Sequence, residues 1–315
     1  MPVQFYIFSD GVYIIDADDP YKELIGSKVL KINGVAISKL LDDMNSFVHQ
    51  DNKYTVKWFA PSVLRFRGLY ESYGLPQGSP DMVIDLINRK NESIACKVSF
   101  IPVASFHSIP KLIPSTLAKG VPVPLYLSNI QDNFWFKELP GRKKTIYFQF
   151  NPVEDKSNES LGSFGKRFGD TLQNKKPGLL IIDVRHNNGG NAGLLQPLMD
   201  GIINFEKSNP NAKIVIITGR NTFSATQIFI SLMNKNTHAL FAGEPSSSKP
   251  NFVGEENYSM LPWSGAIVSI SNKYHESIPG DKRQWIAPNF PVFLSSTEYF
   301  KNQDPVMDLI LKKFD

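Results

Sequence analysis

Two short stretches of this 315-residue chain hold residue types that could do chemistry together. In "IIDVRHNNGGN" an apolar run ends in Asp183 and Arg185 and passes through Gly189 and Gly190 before the next helical pattern. A Gly-Gly pair there lets backbone N–H groups turn outward at a helix N-terminus, an arrangement that binds anions and oxyanions. The plainer reading is a tight strand-to-helix turn with no ligand. Asp183 and Arg185 are read most simply as a pair that fixes the loop. In "GRNTFSATQIFISL" Ser224 follows the apolar run "AKIVIITG" and opens a helical pattern whose apolar face holds Ile228, Phe229 and Leu232. A serine so placed is held rigidly near helix-end N–H groups, and the Ala225 N–H could face the same point as the Gly-Gly loop. The plainer reading is that Thr222 or Ser224 only caps the helix.

The elements that must position these residues follow from periodicity. "KTIYFQFN", "GLLIIDVR", "AKIVIITG" and "HALFAGE" read as strands, and "NAGLLQPLMDGIINFEKS" and "SATQIFISLMNKN" as helices between them. Continuous apolar runs separated by helices mean strands covered on both faces, hence a mainly parallel α/β core, with ligands expected at the strand C-termini. "YSMLPWSGAIVSISNKY" reads as an antiparallel hairpin and "DPVMDLILKKF" as a closing helix. Ahead of this core, "VYIIDA", "SKVLKING", "YTVKWF", "MVIDLI" and "ACKVSF" read as short strands, the last two forming a hairpin that turns at Lys90-Asn91. "ISKLLDDMNSFV", with Leu40, Leu41, Met44 and Phe47 on one face, and "SVLRFRGLYESYG" read as helices. The resulting division is a first domain over 1–103, a Pro-rich linker over 104–124 and an α/β domain over 125–315.

Composition narrows the function classes. A hydrophobic content of 42% supports a globular core, and a net charge of +4, with Lys and Arg scattered among Asp and Glu, gives no footprint for nucleic acid. No apolar run of about 18 residues is present to span a bilayer. "MPVQFYIFSDGVYIID" lacks the basic and apolar regions of an export signal. Cys96 is the single cysteine, so neither an internal disulfide nor a multi-cysteine metal site is expected, and no cofactor is implied. The five histidines are His49, His107, His186, His238 and His275. His186 stands nearest the Gly-Gly loop and is read as a solvated side chain.

Taken in order and spacing, "IIDVRHNNGGN", "NTFSATQIF", "FAGEPSSSKPNFVGE", "MLPWSGAIVSIS" and "WIAPNFPV" with "DPVMDLIL" resemble the tail-specific, or C-terminal processing, peptidases and their tricorn-type relatives, over about Thr145 to Asp315. "LIGSKVLKINGVAI" resembles the PDZ-like domain that precedes their catalytic domain. The resemblance implies a crotonase-like (ClpP/crotonase-type) α/β core behind a smaller PDZ-like α+β domain, and a serine peptidase acting on polypeptide, including C-terminal tails. By motif, Ser224 matches the nucleophile, and Ala225 with one of Gly189 and Gly190 the oxyanion-hole donors. Lys249, 25 positions after Ser224, matches a lysine general base. Pro250 and Val253 stand where the processing peptidases carry Gly and Gln, and "GEPSSSKPN" resembles the tricorn-related branch, whose base is a histidine from a helical region ahead of the PDZ-like domain. On that branch the base would lie outside this chain. The resemblance implies an extracytoplasmic or cell-envelope location and leaves the oligomeric state open. The competing reading is a non-catalytic protein that binds peptides or apolar ligands on the same fold.

Overall fold

The computed structural model describes residues 1–46, 48, 51–101, 112–141, 143–265 and 267–314. They form two compact units, Met1–Asn129 with Val292–Asp308, and Ile130–Pro291 with Leu309–Asp315. The first part of the expected linker, 104–111, together with Phe47 and His49, lies outside the described residues, and His107 falls within that part.

In the first unit, strands β1 (Val3–Phe8), β2 (Gly11–Ala17), β3 (Lys28–Ile32), β5 (Asp81–Ile87) and β6 (Ser93–Ser99) pair antiparallel in that order, with the short β4 (Val35–Ala36) on β3. Phe5, Ile14, Ile32 and Ile84 from this sheet pack with Leu40 of α1 (Ile37–Asp43), Val56 and Ala60 of α2 (Lys53–Val63) and Tyr70 of α3 (Arg67–Glu71). The expected strand "YTVKWF" is instead the start of α2. Asn52 and Thr55 form a reciprocal capping box there, and Tyr54, Thr55, Val56 and Trp58 are buried together, which a strand of alternating faces could not do. The expected helix "SVLRFRGLYESYG" is broken after Val63, and α3 starts afresh at Arg67. A second cluster joins Phe8 and Ile15 to Leu112, to Tyr126 and Leu127 of α4 (Leu125–Ser128), and to Tyr299 of α8 (Ser296–Phe300). Both the Ser296 N–H and its hydroxyl donate to Asp10, at 2.9 and 2.5 Å.

The second unit is an α/β core. Its sheet runs β14 (Phe290–Pro291), β11 (Leu240–Gly243), β10 (Lys213–Thr218), β9 (Leu179–Asp183), β8 (Thr145–Phe150), β7 (Phe134–Leu139), parallel throughout except for β7. Every residue of β8 and β9 is buried, as the continuous apolar runs demand. Ile146, Phe148, Leu180, Ile182, Ile214 and Ile216 make one face, packed against α5 (Leu161–Lys175), α6 (Gln196–Ser208) and α7 (Ala225–Asn236). Neither α5 nor β7 is anticipated by the sequence reading, although Leu161, Phe164, Phe168 and Leu172 recur at helical spacing behind the N-cap Ser160. Helices α5 and α6 meet backbone to backbone, where a Cβ on Gly169 would lie 2.9 Å from the Gly201 Cα. The hairpin of β12 (Asn251–Met260) and β13 (Ile267–Glu276) stands outside this sheet as a two-stranded ribbon, and α9 (Pro305–Phe314) closes the chain.

Candidate active site

Strands β9 and β10 are parallel neighbours, so the segments that leave their C-terminal ends emerge side by side. Thr222 ties the two together: its hydroxyl donates to the Val184 carbonyl at 3.0 Å and accepts from the Gly219 N–H at 3.1 Å, while the Phe223 N–H donates to the Asn187 carbonyl. Neither Thr222 nor Ser224 caps α7 through its side chain. Ser224 occupies the N-cap position with φ 51° and ψ −125°, a backbone conformation that costs a non-glycine residue about 1–3 kcal/mol. Its hydroxyl makes no hydrogen bond among the described residues. The strand-to-helix turn therefore presents the serine at a sharp, strained corner, the geometry of a nucleophile elbow.

The Gly-Gly loop packs on that corner. A Cβ at Gly189 would fall 2.7 Å from the Ser224 Cβ and 3.1 Å from the Ala225 nitrogen, so only glycine admits this approach. The Gly189 N–H is committed to Asn187 Oδ1 at 3.0 Å, and its carbonyl accepts from Val153. Gly190, at φ 134°, bridges Val153 in parallel, and a Cβ there would meet the Val153 oxygen at 2.4 Å. Among the described residues the N–H groups of Gly190 and Ala225 donate to no protein acceptor. Both residues line one cleft of about 580 Å³ with Ser224, and the positive end of α7 lies at the same place.

The loop is anchored from below by charge. Arg185 grips Asp183 through Nε (3.0 and 3.1 Å) and Nη2 (2.6 Å), and the Tyr147 hydroxyl donates to the same carboxylate at 2.8 Å. Burial opposes ionisation of Asp183, but the Arg185 charge and hydrogen bonds outweigh it and hold the carboxyl below its usual range. A second pair escapes the sequence reading: Arg220, just ahead of Ser224, meets Glu244 at 2.8 and 2.6 Å, joining the segments after β10 and β11. The signal available was an arginine and a glutamate each following an apolar strand at Gly219 and Gly243. His186, read as solvated, is buried at 4% exposure, because the Thr222 and Phe223 hydrogen bonds draw the β10 segment over the residues that follow β9.

Lys249 lies half-buried in the segment between β11 and β12 and does not line the cleft. No hydrogen bond or ion pair joins it to Ser224 among the described residues. The wall shared with Ser224 is made instead by Asn191 to Gly193, Ile228, and the base of the hairpin through Phe252, Glu255, Lys273 and His275. Among the described residues no cluster of His, Cys, Asp or Glu is disposed to hold a metal ion, and no helix is long and apolar enough to cross a membrane.

No family model matches the sequence, and no curated protein matches it. Among solved structures the chain is similar to CPAF. The superposition on a serine-to-alanine mutant of CPAF has a TM-score of 0.64 at 12% identity, covering 99% of this chain and 81% of that one. CPAF complexed with lactacystin gives 0.63 at 12% identity, with 99% and 81% covered. The photosystem II D1 C-terminal processing protease is a distant match, with a TM-score of 0.39 at 12% identity over 92% of this chain and 72% of that one. Over 99% of its length the chain is similar in fold to mature CPAF, with a TM-score of 0.62 at 12% identity.

Proposed function

We propose that this chain is a serine peptidase that cleaves peptide bonds in polypeptide substrates, with Ser224 as the nucleophile and the N–H groups of Ala225 and Gly190 as its oxyanion hole. One observation carries the reading: Ser224 is held in a strained conformation at the start of α7, its hydroxyl uncommitted, beside two backbone donors without acceptors in the same cleft. Strain of this kind persists where the surrounding fold imposes it, and it sets the hydroxyl for attack while the two donors await the charge that develops on a carbonyl oxygen. The order of sequence blocks resembling the C-terminal processing peptidases, and the fold shared with CPAF, support the same reading. The Asp183–Arg185 and Arg220–Glu244 pairs serve as positioning groups that fix the two segments without touching substrate.

A fluorophosphonate probe tests the nucleophile. Labelling that maps by mass spectrometry to Ser224, and is lost in Ser224→Ala together with hydrolysis of a denatured protein substrate, is the expected result. Labelling elsewhere, or none, defeats it. The smaller unit, on this reading, is a PDZ-like domain that holds the substrate's C-terminal carboxylate through backbone N–H groups. The Ser224→Ala chain should then bind an apolar peptide with a free C-terminus more tightly than its amidated copy, and equal binding removes tail recognition.

A further inference from the structure

We propose that the β12–β13 ribbon is an exosite for the substrate, on which an extended, apolar stretch of polypeptide lies beyond the cleft. The inference rests on the serine peptidase reading and names the substrate class that site takes, polypeptide that is already unfolded. The ribbon begins inside the cleft: Phe252 and Glu255 of β12, and Lys273 and His275 of β13, belong to the wall shared with Ser224. Register carries one of its faces outward from there. Phe252 pairs with His275, Gly254 with Lys273, Glu256 with Ser271, Tyr258 with Ser269 and Met260 with Ile267, and alternate pairs of a ladder share a face. The face that starts at the cleft with Phe252 and His275 therefore ends in Met260 and Ile267, about 17 Å along the strand from Glu255.

This outer part has the composition of a contact surface. The sixteen residues from Asn257 to Asn272 include no charged residue. Tyr258, Met260, Ile267, Ile270 and Tyr274 are each more than half exposed, and Trp263, in the turn, is 99% exposed. Protein surfaces rarely hold so many large apolar side chains together in water unless something binds there, and Trp and Tyr are the side chains that most often anchor such contacts. Tyr258 is already set in place, because its hydroxyl donates to Glu256 at 2.7 Å and the Ser269 hydroxyl donates to the same carboxylate at 2.8 Å.

Continuity with the cleft and the open edges of the ribbon together select a polypeptide as the occupant. A chain bound at Ser224 needs only about five further residues, fully extended, to run from Glu255 to Met260. Among the described residues no third strand pairs with β12 or β13, so their outer edges are open to an added strand, whose backbone groups a lipid surface cannot match. Holding a distant stretch of the substrate on the ribbon raises the effective concentration of the scissile bond at Ser224. A folded substrate offers no such stretch.

The test compares the full parent chain with Trp263→Ser and with Trp263→Ser/Ile267→Ser. Trp263 is too exposed for its loss to disturb the fold, and fluorophosphonate labelling of Ser224, which reads the cleft alone, should proceed equally in all three chains. With a reduced, carboxymethylated protein as substrate, KM should rise about tenfold in the double variant at unchanged kcat. Cleavage of a peptide of about six residues, too short to fill both the cleft and the ribbon, should not change. Unchanged KM on the long substrate overturns the proposal. If labelling falls in the double variant, Trp263→Ser decides alone, with a KM rise of about threefold expected and an unchanged KM overturning it. A dimer that the double variant converts to a monomer, with KM unchanged, gives the face to a second copy; vesicle binding that it loses, with KM unchanged, gives the face to a lipid surface. Either result overturns the proposal. Absence of both labelling and hydrolysis in the parent defeats the nucleophile, not the exosite. Fluorescence anisotropy of the labelled carboxymethylated protein then reads the ribbon: binding about tenfold weaker in the double variant supports it, and equal binding overturns it.

Discussion

Ser224 sits in a backbone conformation that only glycine adopts freely, so its cost should be measurable apart from its chemistry. Ser224→Gly and Ser224→Ala both remove the hydroxyl, but only glycine releases the strain. Ser224→Gly is expected to melt about 2–4 °C above Ser224→Ala, as about 1 kcal/mol gives in a domain of this size. Equal melting temperatures would show that the turn is relaxed. Gly190 tests the opposite case: Gly190→Ala drives a Cβ into the Val153 oxygen at a positive φ, so it should lower both stability and labelling of Ser224. Asp183 sets a limit in acid. Its folded pKa lies below the ordinary carboxylate value of about 3.9, so its contribution is complete above that value and is lost as the pH falls through the folded pKa. In urea melts below about pH 4 the parent should therefore lose stability faster than Asp183→Asn, which carries no such proton linkage.

At the scale of elements, the pair that anchors the β9 segment is the most exposed to a single change. Arg185→Ala leaves a carboxylate at 1% exposure without its counter-charge, and an expected loss of about 3–5 kcal/mol should appear as a lower urea midpoint. The α/β core was legible because strands buried on both faces are written as unbroken apolar runs, and "GLLIIDVR" and "AKIVIITG" are of this kind. The first unit was less so, because "YTVKWF" carries the β-branched and aromatic content of a strand and only the Asn52–Thr55 box reveals the helix. Helix α5 was hidden by its glycines: Gly165 and Gly169 lower helix propensity, and their purpose is contact with α6, which sequence alone does not show. The same holds at the cleft. Ser224 and the Gly-Gly loop stand out by type and position, whereas the hairpin residues that line the same cleft are brought together only by the pairing of β12 with β13.

Across the whole molecule, the first unit takes its core from both ends of the chain. Tyr299 is fully buried with Phe8 and Ile15, and Ser296 completes the contacts of Asp10, so a chain ending at Pro291 should lose much of that unit's stability. Hydrogen exchange checks this: amides of β1 and β2 should lose protection in the truncated chain while those of β9 and β10 keep theirs. Protection retained in β1 would show that the second cluster is dispensable. The dependence also reverses the order in which the chain can settle as it is made. A domain that emerges first from the ribosome ordinarily folds first. Here residues 1–129 are made ahead of the second unit but lack Tyr299 until residues 130–291 have also been made. Most of the second unit is therefore made before the first unit has all of its core, so the unit begun earlier is completed later.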